Sequence, residues 1–248
     1  MKLMKIIGKS IDIIGDSFSC PCCKFDSSDT YLELLEREYE FKIKNYSLHG
    51  TGAHWCIEKF MSINEHNDFL LFCLPDMNRL WLDYLPEHEA STSSMIYRIM
   101  DHRRYDFPDT FDDDIVDQSE RIFKDYESFY TSGLHRILEV LYTSFIFTKS
   151  KKYKKILIWP SSGLGYPFRH YDYTLEIPDN VYIVPRCLNL ISHLEKKTKK
   201  VDSERIFVND KRNNHLSEYN HVILARQIFD FFVKDKLPVL SEFKYSFI

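Results

Sequence analysis

Glycine is scarce in this sequence, with seven among 248 residues, against roughly 7% in an average protein. A residue used so sparingly marks places where the backbone turns sharply or is approached closely. Three of the seven, Gly15, Gly50 and Gly52, fall in two short stretches that follow strand-like segments. These two stretches are therefore the first places to search for a functional site.

Long apolar runs are also missing. No segment approaches the roughly 18 to 20 apolar residues that cross a bilayer, and Lys2, Lys5 and Lys9 interrupt the apolar residues at the start. We therefore expect no signal peptide and no membrane partner, which favours a soluble, cytoplasmic protein. The formal net charge of -4 gives no overall attraction to nucleic acid, so we expect no nucleic-acid partner. The oligomeric state is left open.

Cysteine is too sparse for a disulfide scaffold, with six residues in the chain. Three of them, Cys20, Cys22 and Cys23, lie within four positions, where adjacent pairs cannot easily adopt disulfide geometry. The cluster has no distant second pair to complete a structural zinc site, so we expect neither a metal nor another cofactor. We interpret these cysteines as small residues that pack a loop in a reducing compartment. A reactive thiol at Cys22 or Cys23 is the alternative.

Two apolar runs, residues 10–14 and 68–74, have the length and composition of buried strands, and three further segments show the alternating pattern of strands. They alternate with segments whose apolar residues recur at helical spacing, a pattern that predicts a parallel sheet between two helical layers. We therefore expect a single domain over residues 1–248, with the three-layer α/β/α sandwich as its fold class. The predicted strands are residues 10–14, 41–48, 68–74, 155–160 and 181–185.

Helical patterns fill the intervals between the strands. We expect a helix around Tyr31 that Ser28 or Asp29 caps, and a last helix over residues 217–234 whose apolar face packs on the sheet. Between the third and fourth strands, residues 76–153 hold no strand-like segment and one long helical stretch. We interpret this interval as a helical insertion that covers part of the sheet and shapes the substrate pocket.

Ser17 stands just past the first predicted strand, in Gly15-Asp16-Ser17. Ligands of open parallel sheets bind outside the carboxyl ends of the strands, so a nucleophile would be well placed there. A serine hydroxyl also needs a base to take its proton and donors to stabilise the oxyanion. His215, in the loop before the last helix, is the candidate base, and His221 is the alternative. An ordinary turn with capping side chains is the structural alternative for Ser17.

Three short blocks of the sequence share a pattern. They are Gly15-Asp16-Ser17-Phe18-Ser19, Asn45-Tyr46-Ser47-Leu48-His49-Gly50 and Asn214-His215-Leu216-Ser217. In this order and at this spacing they resemble the SGNH (GDSL-like) hydrolase family. The resemblance implies Ser17 as the nucleophile, Gly50 as an oxyanion donor through its N–H, and His215 as the general base. It also implies a flavodoxin-like strand order, 2-1-3-4-5.

Two further positions of the family pattern are altered in this chain. The loop after the third strand should supply a side-chain oxyanion donor, and Asn78 is the candidate, although the glycine usual in this block is absent. Arg79 is the rival, because a guanidinium also stabilises an oxyanion. The family places an aspartate three residues before the base, where this chain has Arg212. Asp210 is therefore our candidate for orienting the base, with a Ser-His dyad as the alternative.

Several other polar features have a plain and a functional interpretation. His49 and His54 flank the Gly50 turn. They are either exposed loop residues or residues that contact the substrate. The loop that begins at Ser161 lies on the same sheet edge as the nucleophile and is expected to line the pocket. The basic runs 149–155 and 196–200 are typical of solvated helix ends, with phosphate or nucleic-acid binding as the alternative.

Together these features predict a metal-independent serine ester hydrolase that works through an acyl-enzyme. Its substrate would be a small-molecule or glycan ester, such as an O-acetyl group on a carbohydrate. The alternative from another class is an SGNH-like fold retained as a binding or structural module of a larger assembly, with its catalysis lost. The altered asparagine and aspartate blocks favour that alternative. A transferase using the same acyl-enzyme is a third interpretation.

Overall fold

The computed structural model describes residues 9–24, 27–49, 51–75, 121, 124, 135–161, 176–192 and 213–244. Five strands lie within these ranges, and each begins within two residues of its predicted start. The second strand is shorter than predicted, because its regular pairing ends at Asn45, although the N–H groups of Tyr46 and Leu48 still donate to the β1 carbonyls of Ile13 and Gly15. The strands are β1 Ser10–Gly15, β2 Lys42–Asn45, β3 Phe69–Cys73, β4 Lys155–Ile158 and β5 Val181–Ile183.

All five strands run parallel, in the order β2-β1-β3-β4-β5. This confirms the predicted strand order and the three-layer α/β/α sandwich. β1 lies between β2 and β3, so the chain changes direction across the sheet at β1. The carboxyl ends of β1 and β3 are aligned, with Gly15 paired to Cys73. Residues that follow these two strands therefore share one crevice at the sheet edge.

Four longer helices with defined bounds lie in the described part of the chain. The first helix begins one or two residues later than Ser28 or Asp29 would set it, because Thr30 is its N-cap and forms a capping box with Glu33. The last helix begins where it was predicted, with Ser217 as its N-cap. The helices are α1 Tyr31–Arg37, α2 Ala53–Ser62, α3 His135–Ser150 and α4 Glu218–Lys234.

The two faces of the sheet are covered by different helices. Side chains of α1 and α4, with the helical residues 188–192, pack on one face around Trp159. Side chains of α2 and α3 pack on the opposite face around Phe60 and Phe72. Alternate residues of each central strand enter opposite cores, as the period of a strand requires.

The predicted helical insertion lies largely outside the described residues. Its described end is helical, because α3 leads directly into β4 through residues 151–154. Lys149, near the end of α3, donates to the carbonyl oxygens of Phe60, Met61 and Ile63 at 2.6 to 2.9 Å and so caps the end of α2. In the ranges given above, no helix is long and apolar enough to cross a membrane.

Candidate active site

The turn after β1 is held in a fixed shape by Asp16. Its buried carboxylate accepts from the Phe18 N–H at 3.2 Å and from the Ser161 hydroxyl at 2.9 Å. The Ser19 N–H donates back to the Asp16 carbonyl at 3.0 Å. Ser161, three residues after β4, therefore lies at the carboxyl edge of the sheet, as predicted. It contacts the turn of residues 16–19, which carries Ser17 and is called the nucleophile turn after its predicted role.

Gly15 is required at the end of β1 because of the neighbouring strand. A Cβ at this position would lie 2.6 Å from the Cys73 Cβ and 2.8 Å from the Cys73 carbonyl oxygen. Such distances are shorter than van der Waals contact, and a backbone atom is among the obstructions. The glycine therefore allows β1 and β3 to approach each other just before Ser17.

Ser17 and His215 come together at this edge, although 198 positions separate them in sequence. The Ser17 Oγ and the His215 Nε2 are 2.9 Å apart, within hydrogen-bonding distance. Ser17 is 6% exposed, and the imidazole is partly exposed beside it. The Phe18 ring packs against the imidazole, with centroids 5.0 Å apart. A neutral imidazole with its proton on Nδ1 can accept the serine proton at Nε2.

His215 is presented by a strained turn. It ends the short 3-10 segment Asn213–His215, and both Asn214 (φ 44°, ψ 32°) and His215 (φ 63°) adopt left-handed backbone angles. Non-glycine residues in this conformation cost about 1–3 kcal/mol each and persist only where the surroundings fix them. Asparagine tolerates these angles better than most residues. The strain lies at the position where the sequence predicted the base.

The side chains of the two residues before His215 hold this turn in place. Asn213 donates through Nδ2 to the Ser28 carbonyl at 2.9 Å. Asn214 donates through its own Nδ2 to the carbonyls of Ser17 and Cys20, at 2.7 and 2.9 Å. Sequence reasoning missed both asparagines as contributors to the site. The pattern Asn-Asn-His before a helix cap is the signal that could have indicated them, because asparagine favours left-handed turns.

His221, the alternative base, is engaged elsewhere. Its ring is fully buried, its Nδ1 accepts from the Tyr31 N–H at 3.1 Å, and its Nε2 lies 2.8 Å from the Asn213 carbonyl. These partners require the ring proton on Nε2. The imidazole thus ties α4 to the start of α1 and to the turn of His215, and neither ring nitrogen faces Ser17.

The second block of the sequence forms the loop beside the nucleophile turn. Asn45 donates through Nδ2 to the Ser19 carbonyl at 2.8 Å, and its Oδ1 accepts from the Ser47 N–H at 2.8 Å. The Leu48 N–H donates to the Gly15 carbonyl at 3.1 Å. The block therefore lies against the residues that flank Ser17.

Four of the predicted site residues lie outside the described residues. They are Gly50, Asn78, Arg79 and Asp210. Their assignments as oxyanion donors and as the acid that orients the base stay predictions. The residues next to Gly50 are described, and Thr51 donates through Oγ1 to the Leu48 carbonyl at 2.9 Å.

The cysteine cluster lies close to this loop. Cys20 and Cys23 are both 2% exposed, at the two ends of a short 3-10 turn, which agrees with their interpretation as packing residues. The Cys23 Sγ lies 3.3 Å from the Nδ1 of His49, whose side chain is otherwise exposed. His54 belongs to α2 rather than to a loop, and its Nδ1 lies 2.8 Å from the Tyr142 hydroxyl.

A thiol and a phenol are buried beneath the nucleophile turn. The Tyr31 hydroxyl lies 3.8 Å from the Cys73 Sγ, and both side chains are almost completely inaccessible. Burial raises the pKa of the Cys73 thiol to about 12 and raises the pKa of Tyr31 well above its usual value. Both groups are therefore uncharged near neutral pH, and the layer below Ser17 carries no charge from them.

The described side chains include no group of three or more His, Cys, Asp or Glu residues that could hold a metal ion. What the site does contain is a hydroxyl in contact with an imidazole, on a rigid turn at the carboxyl edge of a parallel sheet. Comparisons of the chain with protein-family models, with curated proteins and with solved structures found no match.

Proposed function

We propose that the chain is a serine ester hydrolase of SGNH type, with Ser17 as its nucleophile and His215 as its general base. The observation that carries this proposal is the 2.9 Å approach of the Ser17 Oγ and the His215 Nε2. A serine hydroxyl becomes an effective nucleophile only when a positioned base removes its proton. A module that has lost its catalysis has no need to keep this contact between residues 198 positions apart.

The reaction follows from the positions of the two side chains. The Ser17 oxygen attacks the ester carbonyl while its proton passes to the His215 Nε2, and a tetrahedral oxyanion forms. As this intermediate collapses, the ester C–O bond breaks and the proton on Nε2 goes to the departing alcohol. Water then attacks the acyl-enzyme, gives its proton to the same nitrogen, and releases the carboxylic acid as Ser17 recovers its hydrogen.

The oxyanion needs hydrogen-bond donors fixed in advance of the reaction. The Ser17 N–H, the Gly50 N–H and the side chain of Asn78 or Arg79 are the donors that the family resemblance assigns. The rigid support of the nucleophile turn by Asp16 and Ser161 favours this role for the Ser17 N–H. Removal of one such donor typically slows turnover about 10²- to 10³-fold.

Asp210 completes the proposed machinery as the carboxylate that orients His215. The proposed substrate is a small-molecule or glycan ester, in particular an O-acetyl group on a carbohydrate. An acetyl group suits a nucleophile as enclosed as Ser17, which is 6% exposed, because the acyl portion that must reach it is small.

The test is labelling by a fluorophosphonate, which reacts with a serine only when that serine is activated. We expect the native chain to be labelled and Ser17→Ala to be unlabelled, with both giving the same circular dichroism spectrum. His215→Gln should slow labelling by about 10⁴-fold, since loss of a base typically costs that much or more. Ser27→Ala, at an exposed serine ten positions away, is the control and should label normally.

Two results would count against the proposal. If the native chain is not labelled, the interpretation as a binding or structural module without catalysis is the better one. If Ser17→Ala is labelled like the native chain, the nucleophile has been assigned to the wrong residue. Product analysis with an acetylated sugar, in water and with a second sugar as acceptor, would separate hydrolysis from acyl transfer.

A further inference from the structure

Asn214 joins the turn that carries the proposed nucleophile to the turn that carries the proposed base. Its side chain is fully buried, and its Nδ2 donates to the carbonyl oxygens of Ser17 and Cys20 at 2.7 and 2.9 Å. Both acceptors are carbonyls, so only the amide NH₂ can face them. The two carbonyls bracket the residues that follow the nucleophile, and Asn214 immediately precedes the base.

These contacts form a closed circuit of three residues. The Ser17 Oγ meets the His215 Nε2 at 2.9 Å, His215 is bonded in sequence to Asn214, and the Asn214 amide donates to the Ser17 carbonyl. Each residue of the circuit restrains the position of the next. Without the amide, the two turns would lose both of these hydrogen bonds and would still meet through the reacting atoms and through the Phe18 ring on the imidazole.

The backbone of the base turn supports the same conclusion. Asn214 and His215 are consecutive left-handed residues, a conformation that a turn leaves readily when nothing restrains it. Asn213 is anchored on the outer side of the turn, to Ser28 and to His221. Asn214 provides the restraint on the inner side, toward Ser17.

The acceptor atom of the Asn214 amide has a different environment. Its Oδ1 is buried and has no hydrogen-bond partner in the part of the chain that the structure describes. The two bonds from Nδ2 are the contacts that Asn214 provides.

We propose that Asn214 is a positioning residue, which sets the distance between Ser17 and His215 through its two hydrogen bonds to the nucleophile turn. It acts on the reaction through the base and the nucleophile, and it does not contact the substrate. This inference rests on the proposed function, since the distance matters for chemistry only if Ser17 attacks. A displacement of about 1 Å between reacting groups can slow a reaction about 100-fold.

The decisive variant is Asn214→Gly, because glycine keeps the left-handed backbone and removes only the amide. We expect fluorophosphonate labelling of Ser17 to slow about 100-fold in the folded protein. The second measurement is the ¹⁵N resonance of the His215 Nε2, with ¹⁵N-histidine incorporated. Ser17→Ala should shift this resonance because it removes the hydroxyl, and Asn214→Gly should reproduce most of that shift.

Asn180→Gly is a matched control at the opposite edge of the sheet. Asn180 also donates through Nδ2 to two carbonyls, those of Ser150 and Tyr153, at 2.9 Å each. Its replacement removes the same number of bonds of the same kind. We expect it to lower the melting temperature, to leave the labelling rate of the folded protein unchanged, and to leave the Nε2 resonance unmoved.

The outcomes separate this inference from the proposed function. If the native chain is labelled and Asn214→Gly labels at the native rate with an unmoved resonance, the positioning role is wrong. If the native chain is not labelled but both Ser17→Ala and Asn214→Gly move the resonance, the hydrolase proposal fails and the positioning role stands. If Asn214→Gly does not fold, the same measurements are made on Asn214→Ser. Unfolding of both would overturn the inference, because the amide would then serve the fold as a whole.

Discussion

A buried carboxylate near each edge of the sheet, Asp12 at one and Asp16 at the other, serves a different purpose. Asp12 and Asp16 lie four residues apart on or just after β1, and both are fully buried. At the amino edge, Asp12 accepts from the Asn67 N–H and Nδ2 and from the Tyr153 hydroxyl, at 2.7 to 3.1 Å. At the carboxyl edge, Asp16 accepts from the Phe18 N–H and the Ser161 hydroxyl.

The difference lies in what each carboxylate holds. Asp12 accepts hydrogen bonds from Asn67 and Tyr153, which lie just before β3 and β4. Its partners therefore hold only the starts of two strands. Asp16 shapes the turn that presents Ser17, where a base arrives from the other end of the chain. A buried carboxylate points to a functional site only when the group that it positions meets a second side chain of matching chemistry, as the Ser17 hydroxyl meets the His215 imidazole.

The largest expected effect is the loss of stability at alkaline pH. Burial raises the pKa of the Cys73 thiol from 9.0 to about 12, so the folded thiol keeps its proton where the unfolded thiol loses it. The stability from this group is complete below pH 9 and decreases toward pH 12 by about 1.4 kcal/mol per pH unit. Urea unfolding between pH 7 and pH 11 should show this slope, and Cys73→Ala should reduce it.

The amino edge provides the comparison. Burial and the nearby Asp12 carboxylate raise the pKa of Tyr153 above its usual value of 10.0, so its contribution is complete below pH 10 and decreases as the pH rises further. Tyr153→Phe should lower stability at every pH through loss of the hydrogen bond to Asp12, and it should alter the pH dependence of unfolding only at higher pH than Cys73→Ala does. Equal onsets for the two variants would contradict this assignment.

Removal of the Asp12 carboxylate is the next largest change. Asp12→Ala leaves the Asn67 amide and the Tyr153 hydroxyl without their acceptor, and should lower the free energy of unfolding by about 3 kcal/mol. Labelling of Ser17 in the folded protein should keep its native rate, because the amino edge does not contact the site. Slower labelling at equal folded fraction would show that the two edges are coupled.

The smallest expected effect is that of Ser161→Ala. This change removes one hydrogen bond to Asp16 and should cost about 1 kcal/mol of stability. If the same free energy is added to the barrier for reaction at Ser17, because the turn is less well aligned, labelling of Ser17 slows about fivefold. Ser62→Ala is the control, because its exposed hydroxyl bonds only to the Lys59 carbonyl within its own helix, and it should leave labelling unchanged.

The sequence predicted the sheet well because its signals are local. Each strand is an apolar run or an alternating segment, and the strand order followed from the family that three blocks resemble. The turn at Gly15 and the placement of Ser17 and His215 on one edge came from the same signals. The capping residue of α1 was wrong by one or two positions, since Ser28, Asp29 and Thr30 are all good caps and only the Glu33 contact favours Thr30.

The parts that were missed depend on contacts between distant residues. Asn214 meets the Ser17 carbonyl across 197 positions, and Ser161 meets Asp16 across 145. Neither pair leaves a periodic or compositional mark in the sequence. The buried role of His221 was equally hidden, because its partners are backbone groups of Tyr31 and Asn213, and backbone groups are the same at every position.

The separation of Ser17 and His215 also has a consequence for the order of synthesis. The first residue of the pair emerges from the ribosome near the beginning of translation, and the second only after another 197 residues have followed it. Until then the Ser17 hydroxyl cannot meet the His215 imidazole, whatever else has folded around it. All of β1 to β5 have been made before this contact can form, so the contact between these two side chains reports that the sheet is complete.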